Sequence, residues 1–200
     1  CEQALCEKVM RSLVEVINKH KEEFNAQAIA MIANGASKCG QELCEKVMQS
    51  LKAAIKRVID DHKNEFEPQG IAMIANGASK CGDRLCESVM GSLEGVIDDH
   101  KNEFNEQGIA MIANGASKCG QELCEKVMGF LESVLKKPNL KFNAQHIAMI
   151  ANGASKCGQE LCEKVMGSLK EVINDPKNEF EPQHLAMIVN GASKCGQELC

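Results

Sequence analysis

The most regular polar residues of the chain lie in a pattern, Met-x-x-Asn-Gly-x-x-Lys, that occurs five times. An Asn amide can pair with a base edge, and a Lys ammonium group can contact phosphate. Gly allows a ligand strand to approach the backbone, and Met offers a polarisable apolar contact. The pattern therefore predicts a nucleic-acid-binding surface, although such a Lys can also be simply solvated and such a Met can pack on a neighbouring helix. Its Asn, Gly and Lys members are Asn34, Gly35, Lys38, Asn76, Gly77, Lys80, Asn114, Gly115, Lys118, Asn152, Gly153, Lys156, Asn190, Gly191 and Lys194.

A second position in each copy varies while its surroundings stay constant. It lies one residue before the first Ile or Leu of the copy, and on a helical projection it faces the same side as the Asn and Lys residues. We therefore expect it to supply specificity if the copies read different bases. The alternative is tolerated variation in the first turn of a helix. The residues concerned are Ala28, Gly70, Gly108, His146 and His184.

Twelve cysteines occur as pairs whose members are five residues apart. Both members fall on apolar faces of predicted helices, where a thiol behaves as a small buried hydrophobe. The spacing is uncommon for zinc ligands, so we predict no metal site and no cofactor, although a ladder of disulfides or metals is open in principle. Many cysteines without a visible signal peptide favour a reducing intracellular compartment: the bacterial cytoplasm, the interior of a host cell, or an organelle.

The Cys pairs belong to an internal repeat that covers the chain. The segment IAMIANGASKCG begins at residues 29, 71, 109 and 147, a variant begins at Leu185, and a Phe precedes each copy by five residues. The repeat predicts units at 24–65, 66–103, 104–141 and 142–179, with partial units at 1–23 and 180–200. Both ends resemble cuts through a longer array, since neither carries a distinct capping repeat. We therefore expect end-to-end self-association.

Each unit predicts two helices. In the unit at 104–141, apolar residues recur with helical spacing over 106–119 (helix A) and 121–136 (helix B). Asn105 is suited to cap helix A, and Gly120 to end it in a left-handed conformation. The 42-residue unit has four extra residues inside helix B, about one helical turn, so its apolar stripe keeps its phase. One helix pair cannot bury its own apolar faces, so the predicted fold is all-α: an α-solenoid of two-helix repeats of about 38 residues.

The repeat resembles the octotricopeptide repeat, a 38-residue helix–turn–helix unit. The resemblance rests on Phe104-x-x-Gln107-x-Ile109-Ala110-x-Ile112 followed by Lys118-x-Gly120. It implies binding of single-stranded RNA, one nucleotide per repeat, in organelles or bacteria. The characteristic Trp of that family is Asn114 here, so the base-contacting surface can differ. The ASKCG string also resembles the SKWP repeats of certain bacterial effector proteins.

A weaker resemblance implies DNA binding. FNEQGIAMIANGASK is similar to the repeats of TAL-effector-like proteins, in which a two-residue loop, often Asn-Gly, reads one base. That resemblance implies that Asn114 and Gly115 are a base-reading pair. The register fits less well, because the unit is four or five residues too long. Single-stranded RNA is therefore the favoured partner, and DNA is the alternative.

Composition adds a third hypothesis. The net charge is −5, Trp and Tyr are absent, and the six Phe are expected in the core, so no aromatic side chain is left for base stacking. An acidic α-solenoid also suits a protein–protein interaction scaffold. We find no catalytic constellation and predict that the chain is not an enzyme. No apolar run is long enough to span a membrane, so we predict no membrane partner.

Overall fold

The computed structural model describes residues 2–61, 66–175 and 177–194, with side chains from residue 8 onward. These residues form ten α-helices and one short 3-10 turn, Lys21–Glu23, and they contain no β-strand. No helix within these ranges is both long and apolar enough to cross a membrane. The helices are α1 (Glu2–His20), α2 (Ala26–Ala36), α3 (Gln41–Asp61), α4 (Pro68–Ser79), α5 (Asp83–His100), α6 (Glu106–Ala116), α7 (Gln121–Leu135), α8 (Ala144–Ala154), α9 (Gln159–Ile173) and α10 (Pro182–Ala192).

The helices alternate between two layers. The shorter helices α2, α4, α6, α8 and α10 pack on one another in order and form the A layer. The longer helices α1, α3, α5, α7 and α9 do the same and form the B layer. The helices α2, α4, α6 and α8 each also pack on the B helix that follows, and α10 packs on α9. This arrangement confirms the predicted all-α solenoid. The unit limits at 24, 66, 104, 142 and 180 stay a prediction.

The core lies between the two layers and follows the predicted apolar stripes. In α6 the residues Ile109, Ile112 and Ala113 are fully buried, and in α7 Val127 and Leu131 are as well. The Phe that precedes each of the three middle A helices is buried against this core, as expected. These Phe residues are Phe66, Phe104 and Phe142. The added turn of the 42-residue unit lies in α3, where Leu51, Ile55 and Val58 are buried, so its apolar phase is kept.

Helix A begins as predicted but ends earlier. Asn105 caps α6, its Oδ1 accepting the Gly108 N–H at 2.8 Å. The helix ends at Ala116 rather than at residue 119, and helix B ends at 135. Gly120 is not left-handed: with φ −60° and ψ 157° it is the N-cap of α7. Backbone bonds from Lys118 and Cys119 reach carbonyls three residues back, so a tightened last turn satisfies the terminal carbonyls without a left-handed residue.

Two histidines lie at the ends of B helices. His20 and His100 are the last residues of α1 and α5 and are half-buried. Their Nδ1 atoms lie 3.1 Å and 3.0 Å from carboxylate oxygens of Glu23 and Glu103. His62 lies outside the described residues.

Apolar side chains are exposed on the first and last helices. Leu13 in α1 is 39% exposed and Val189 in α10 is 65% exposed. The residues at the same repeat positions in the middle units, Leu131 and Ala151, are fully buried. Internal units cover these positions with a neighbouring helix, and no helix within the described ranges lies on that side of α1 or α10. Such faces favour association with another repeat surface.

We therefore expect the 200-residue chain to self-associate end to end, and Val189→Glu to oppose this. A carboxylate in a newly formed apolar interface loses its hydration, so the mutant should shift towards the 21.7 kDa monomer. Sedimentation velocity over a range of concentrations measures the shift. Gln183→Glu adds the same charge at an exposed position of α10 and should leave the distribution unchanged. A monomeric wild-type chain at every concentration would contradict the prediction.

Candidate ligand-binding surface of the A layer

Two adjoining depressions lie across α2, α4 and α6 on the A layer, and we call them together the A groove. Their volumes are about 550 Å³ and 530 Å³. Both are lined by Glu67, Gln69 and Met73, so they share a wall. Equivalent Gln and Met residues of the neighbouring copies complete the lining: Gln27, Met31, Gln107 and Met111. The repeat therefore builds a continuous polar and thioether-lined surface across α2, α4 and α6.

Three of the five residues in the predicted Asn row lie at contacts between A helices rather than on a free face. Asn114 Nδ2 donates to Ser79 Oγ of the preceding copy at 3.1 Å, and Asn152 Nδ2 donates to Ser117 Oγ at 2.9 Å. Asn76 forms the equivalent bond at 3.3 Å. These three amides are half-buried. Each amide uses one N–H donor in a hydrogen bond between two repeats. Fewer of its hydrogen-bonding groups are therefore available to a ligand than the sequence suggested. Asn34 lines the A groove, and Asn190 is exposed.

The glycines that follow these Asn residues serve close helix packing. Gly77, Gly115, Gly153 and Gly191 are buried, whereas Gly35 is half-buried. A Cβ at Gly153 would lie 3.0 Å from the Ala113 carbonyl oxygen and 2.7 Å from Met128 Sδ. At the four buried glycines a neighbouring A helix occupies the space that a side chain would fill, and contact of a ligand with these glycines stays a prediction. A Cβ at Gly35 would meet nothing within 4 Å.

The predicted Lys row is exposed, as expected. Its five members follow the ends of the A helices, and none forms an ion pair with another described residue. Several lysines of the B layer are paired: Lys46 lies 2.6 Å from a Glu42 oxygen, and Lys164 lies 2.7 Å from a Glu160 oxygen. The A layer therefore carries a positive edge that no described carboxylate pairs with. The row comprises Lys38, Lys80, Lys118, Lys156 and Lys194.

The variable position takes part in capping the A helices. Gly108 is buried, and Ala28, Gly70, His146 and His184 are half-buried. His146 Nδ1 lies 3.5 Å from the Asn143 backbone nitrogen, and His184 Nδ1 lies 3.3 Å from that of Glu181, which completes a capping box in each helix. Burial lowers the pKa of His146 and favours the neutral ring that can accept such a bond. Contact with a ligand at this position stays a prediction.

The A groove contains carboxylates that the sequence reasoning missed. Glu67 and Glu103 line it, and both directly flank a core Phe. Phe66 and Phe104 reach the floor of the groove but are 1% and 5% exposed, so neither offers a face for stacking. The Gln residue that recurs four residues before each Met was the available signal for this surface.

The cysteines form pairs between repeats, not within the five-residue spacing. Cys44 and Cys81 have their Sγ atoms 3.9 Å apart, as do Cys124 and Cys157. All eight described cysteine side chains are buried thiols, as predicted. Hydrogen bonding to the partner thiol and burial raise the pKa of Cys81 and Cys124 well above the usual range. The thiols of these two residues are therefore protonated at neutral pH.

Comparisons with known proteins identify the architecture but no family. No protein-family model matches the chain, and no curated protein matches it. Several solved structures are similar to it in fold. A designed armadillo repeat protein in complex with peptide (KR)4 has a TM-score of 0.53 at 16% identity, covering 87% of this chain and 76% of that chain. A second designed armadillo repeat protein has a TM-score of 0.55 at 14% identity, covering 98% of this chain and 84% of that one.

A third solved structure is described as a computationally designed armadillo repeat protein for modular peptide recognition. Its TM-score is 0.56 at 14% identity, covering 87% of this chain and 76% of that chain. At such low identity these similarities establish the fold alone. The chain is a helical-repeat array with an armadillo-like arrangement. The finer resemblance to octotricopeptide, SKWP or TAL-effector-like repeats stays a prediction.

Proposed function

We propose that the chain is a protein-interaction scaffold whose A groove binds an extended polypeptide segment with basic side chains. The observation that carries the proposal is the lining of the groove. Gln and Met side chains recur along it, and the carboxylates of Glu67 and Glu103 stand in its wall. Gln can bond the backbone amides of an extended chain, Met adapts to varied side chains, and carboxylates attract Lys or Arg.

The charge of the groove wall disfavours a phosphodiester there. A phosphate beside Glu67 and Glu103 would experience like-charge repulsion, whereas a Lys or Arg side chain would gain attraction. Bases would also find no exposed aromatic face, since Phe66 and Phe104 are buried. One protein of similar fold is described as a complex with peptide (KR)4, which supports the same ligand class here.

Removal of both groove carboxylates should weaken the binding of a basic peptide. We expect a labelled peptide of four Lys-Arg pairs to bind the Glu67→Gln/Glu103→Gln variant about tenfold more weakly than the wild type, or about 1.4 kcal/mol. The reason is the loss of two charge-assisted contacts in a partly enclosed groove. Fluorescence anisotropy at fixed ionic strength measures the change.

A matched pair of variants separates the groove from general electrostatics. Glu122→Gln/Glu160→Gln removes the same charge from exposed positions of the B layer and should change the affinity less than twofold. An acidic octapeptide of equal length should bind far more weakly than the basic one. Equal losses in both double variants, or equal binding of both peptides, would overturn the proposal.

The exposed Lys row favours single-stranded RNA as a second candidate ligand, and DNA is the alternative nucleic acid. Its test is the triple substitution Lys80→Gln/Lys118→Gln/Lys156→Gln against the B-layer triple Lys46→Gln/Lys126→Gln/Lys164→Gln. If RNA phosphates lie on the row, the A-layer triple should reduce the slope of log K against log salt by about 2, and the B-layer triple should not. Random RNA and DNA pools distinguish the two nucleic acids. Absence of binding at low salt would exclude this candidate.

A further inference from the structure

The thiol pairs belong to a triangle of two sulfurs and one carbonyl oxygen. The Gly77 oxygen lies 3.4 Å from Cys44 Sγ and 3.5 Å from Cys81 Sγ, and the two sulfurs are 3.9 Å apart. Cys44 belongs to the B helix α3, whereas Cys81 follows the next A helix, α4. Each triangle therefore spans the interface between two repeats, and both thiols donate to the same carbonyl oxygen.

The same triangle recurs at two further interfaces. Around Gly153 the oxygen lies 3.5 Å from Cys124 Sγ and 3.7 Å from Cys157 Sγ, and the sulfurs are again 3.9 Å apart. Around Gly115 the oxygen lies 3.4 Å from Cys86 Sγ and 3.5 Å from Cys119 Sγ. Core packing by a small hydrophobe does not require the sulfurs to converge in this way at three interfaces.

We propose that each triangle binds one Cu(I) ion through its two sulfurs. The glycine carbonyl oxygen forms the third corner of the triangle and lies beside the bound ion. Two thiols and one Cu(I) ion yield one copper bis-thiolate and two released protons, and copper stays in the +1 state, so no oxidant is consumed. Paired thiolates are soft ligands of the kind that select Cu(I). Structural zinc requires four ligands, and the described residues contain no group of three or more His, Cys, Asp or Glu that could hold a metal.

The sulfur spacing favours a bridging ion over a disulfide. Two metal–thiolate bonds of about 2.3 Å each can join sulfurs up to about 4.6 Å apart. The observed sulfur–sulfur distance of 3.9 Å therefore allows one ion to bridge the pair without the sulfurs moving closer. A disulfide would require the sulfurs to approach to about 2.05 Å. The copper bis-thiolate carries one negative charge. Lys80, Lys118 and Lys156 directly precede Cys81, Cys119 and Cys157, and their ammonium groups offset this charge.

The test is anaerobic titration of the fully reduced 200-residue chain with Cu(I), using a chromophoric chelator as competitor. We expect at least three tightly bound ions per chain. The double variant Cys86→Ser/Cys119→Ser removes both members of one pair and should lose one ion. The double variant Cys86→Ser/Cys157→Ser removes one member from each of two pairs and should lose two.

The two double variants remove equal numbers of thiols, so only pairing distinguishes them. Equal losses in both would overturn the proposal, as would tight copper binding that neither variant reduces. X-ray absorption on the wild-type complex gives a check that does not depend on the variants folding. We expect two sulfur neighbours per copper. Copper–copper clusters, or oxidised pairs with a mass two units lower and no copper, would also overturn it.

Discussion

Leu131→Ala is expected to lower the free energy of unfolding by about 3 to 5 kcal/mol. The Leu131 side chain is fully buried in the core between the layers. Truncation removes its apolar contacts and leaves a cavity that the flanking helices can fill only in part, since they are fixed on both sides by further repeats. Urea unfolding followed by circular dichroism at 222 nm measures the loss.

The repeat provides a control with the same chemistry. Leu13 occupies the same repeat position in α1 but is 39% exposed. Leu13→Ala creates no enclosed cavity and should cost less than about 1 kcal/mol. Similar losses in the two variants would mean that the first helix is covered in solution, as the predicted self-association requires. Unfolding measured at two protein concentrations separates that case, because only an assembled chain gives a concentration-dependent midpoint.

Gly153→Ala is expected to lower the free energy of unfolding by about 1 to 2 kcal/mol, although Ala is the better helix former by about 1 kcal/mol. The added methyl would stand 3.0 Å from the Ala113 carbonyl oxygen. Met128 can rotate away from the methyl group, but the backbone of α6 can yield only if α6 and α8 separate. Thermal and urea unfolding of the variant measure the cost.

Gly35→Ala should change stability in the opposite direction. The methyl group at Gly35 meets no atom within 4 Å, so the helix propensity gain of about 0.5 to 1 kcal/mol is not offset. The two substitutions are chemically identical and occupy the same repeat position. A stabilising effect of Gly153→Ala would contradict the close approach of α6 and α8.

The sequence by itself determined the helices and their arrangement. The spacing of residues such as Ile109, Ile112 and Ala113 predicts a buried stripe because helical periodicity is a local property of the chain. Asn105 predicts a cap for the same reason, since the capping bond spans only three residues. A 38-residue period with two such stripes leaves stacking as the one way to bury them, so the solenoid follows.

The tertiary structure decided which polar residues are available for function. Asn114 and Gly115 share a helical face with Lys118, but only Lys118 stays free of the adjacent repeat. The distinction depends on how closely neighbouring A helices approach, and no pattern within one repeat encodes that distance. The pairing of Cys44 with Cys81 rather than with Cys39 arises in the same way. The residues that meet across an interface are set by the stacking of whole helices, whereas a repeating sequence reveals only the face on which each residue lies.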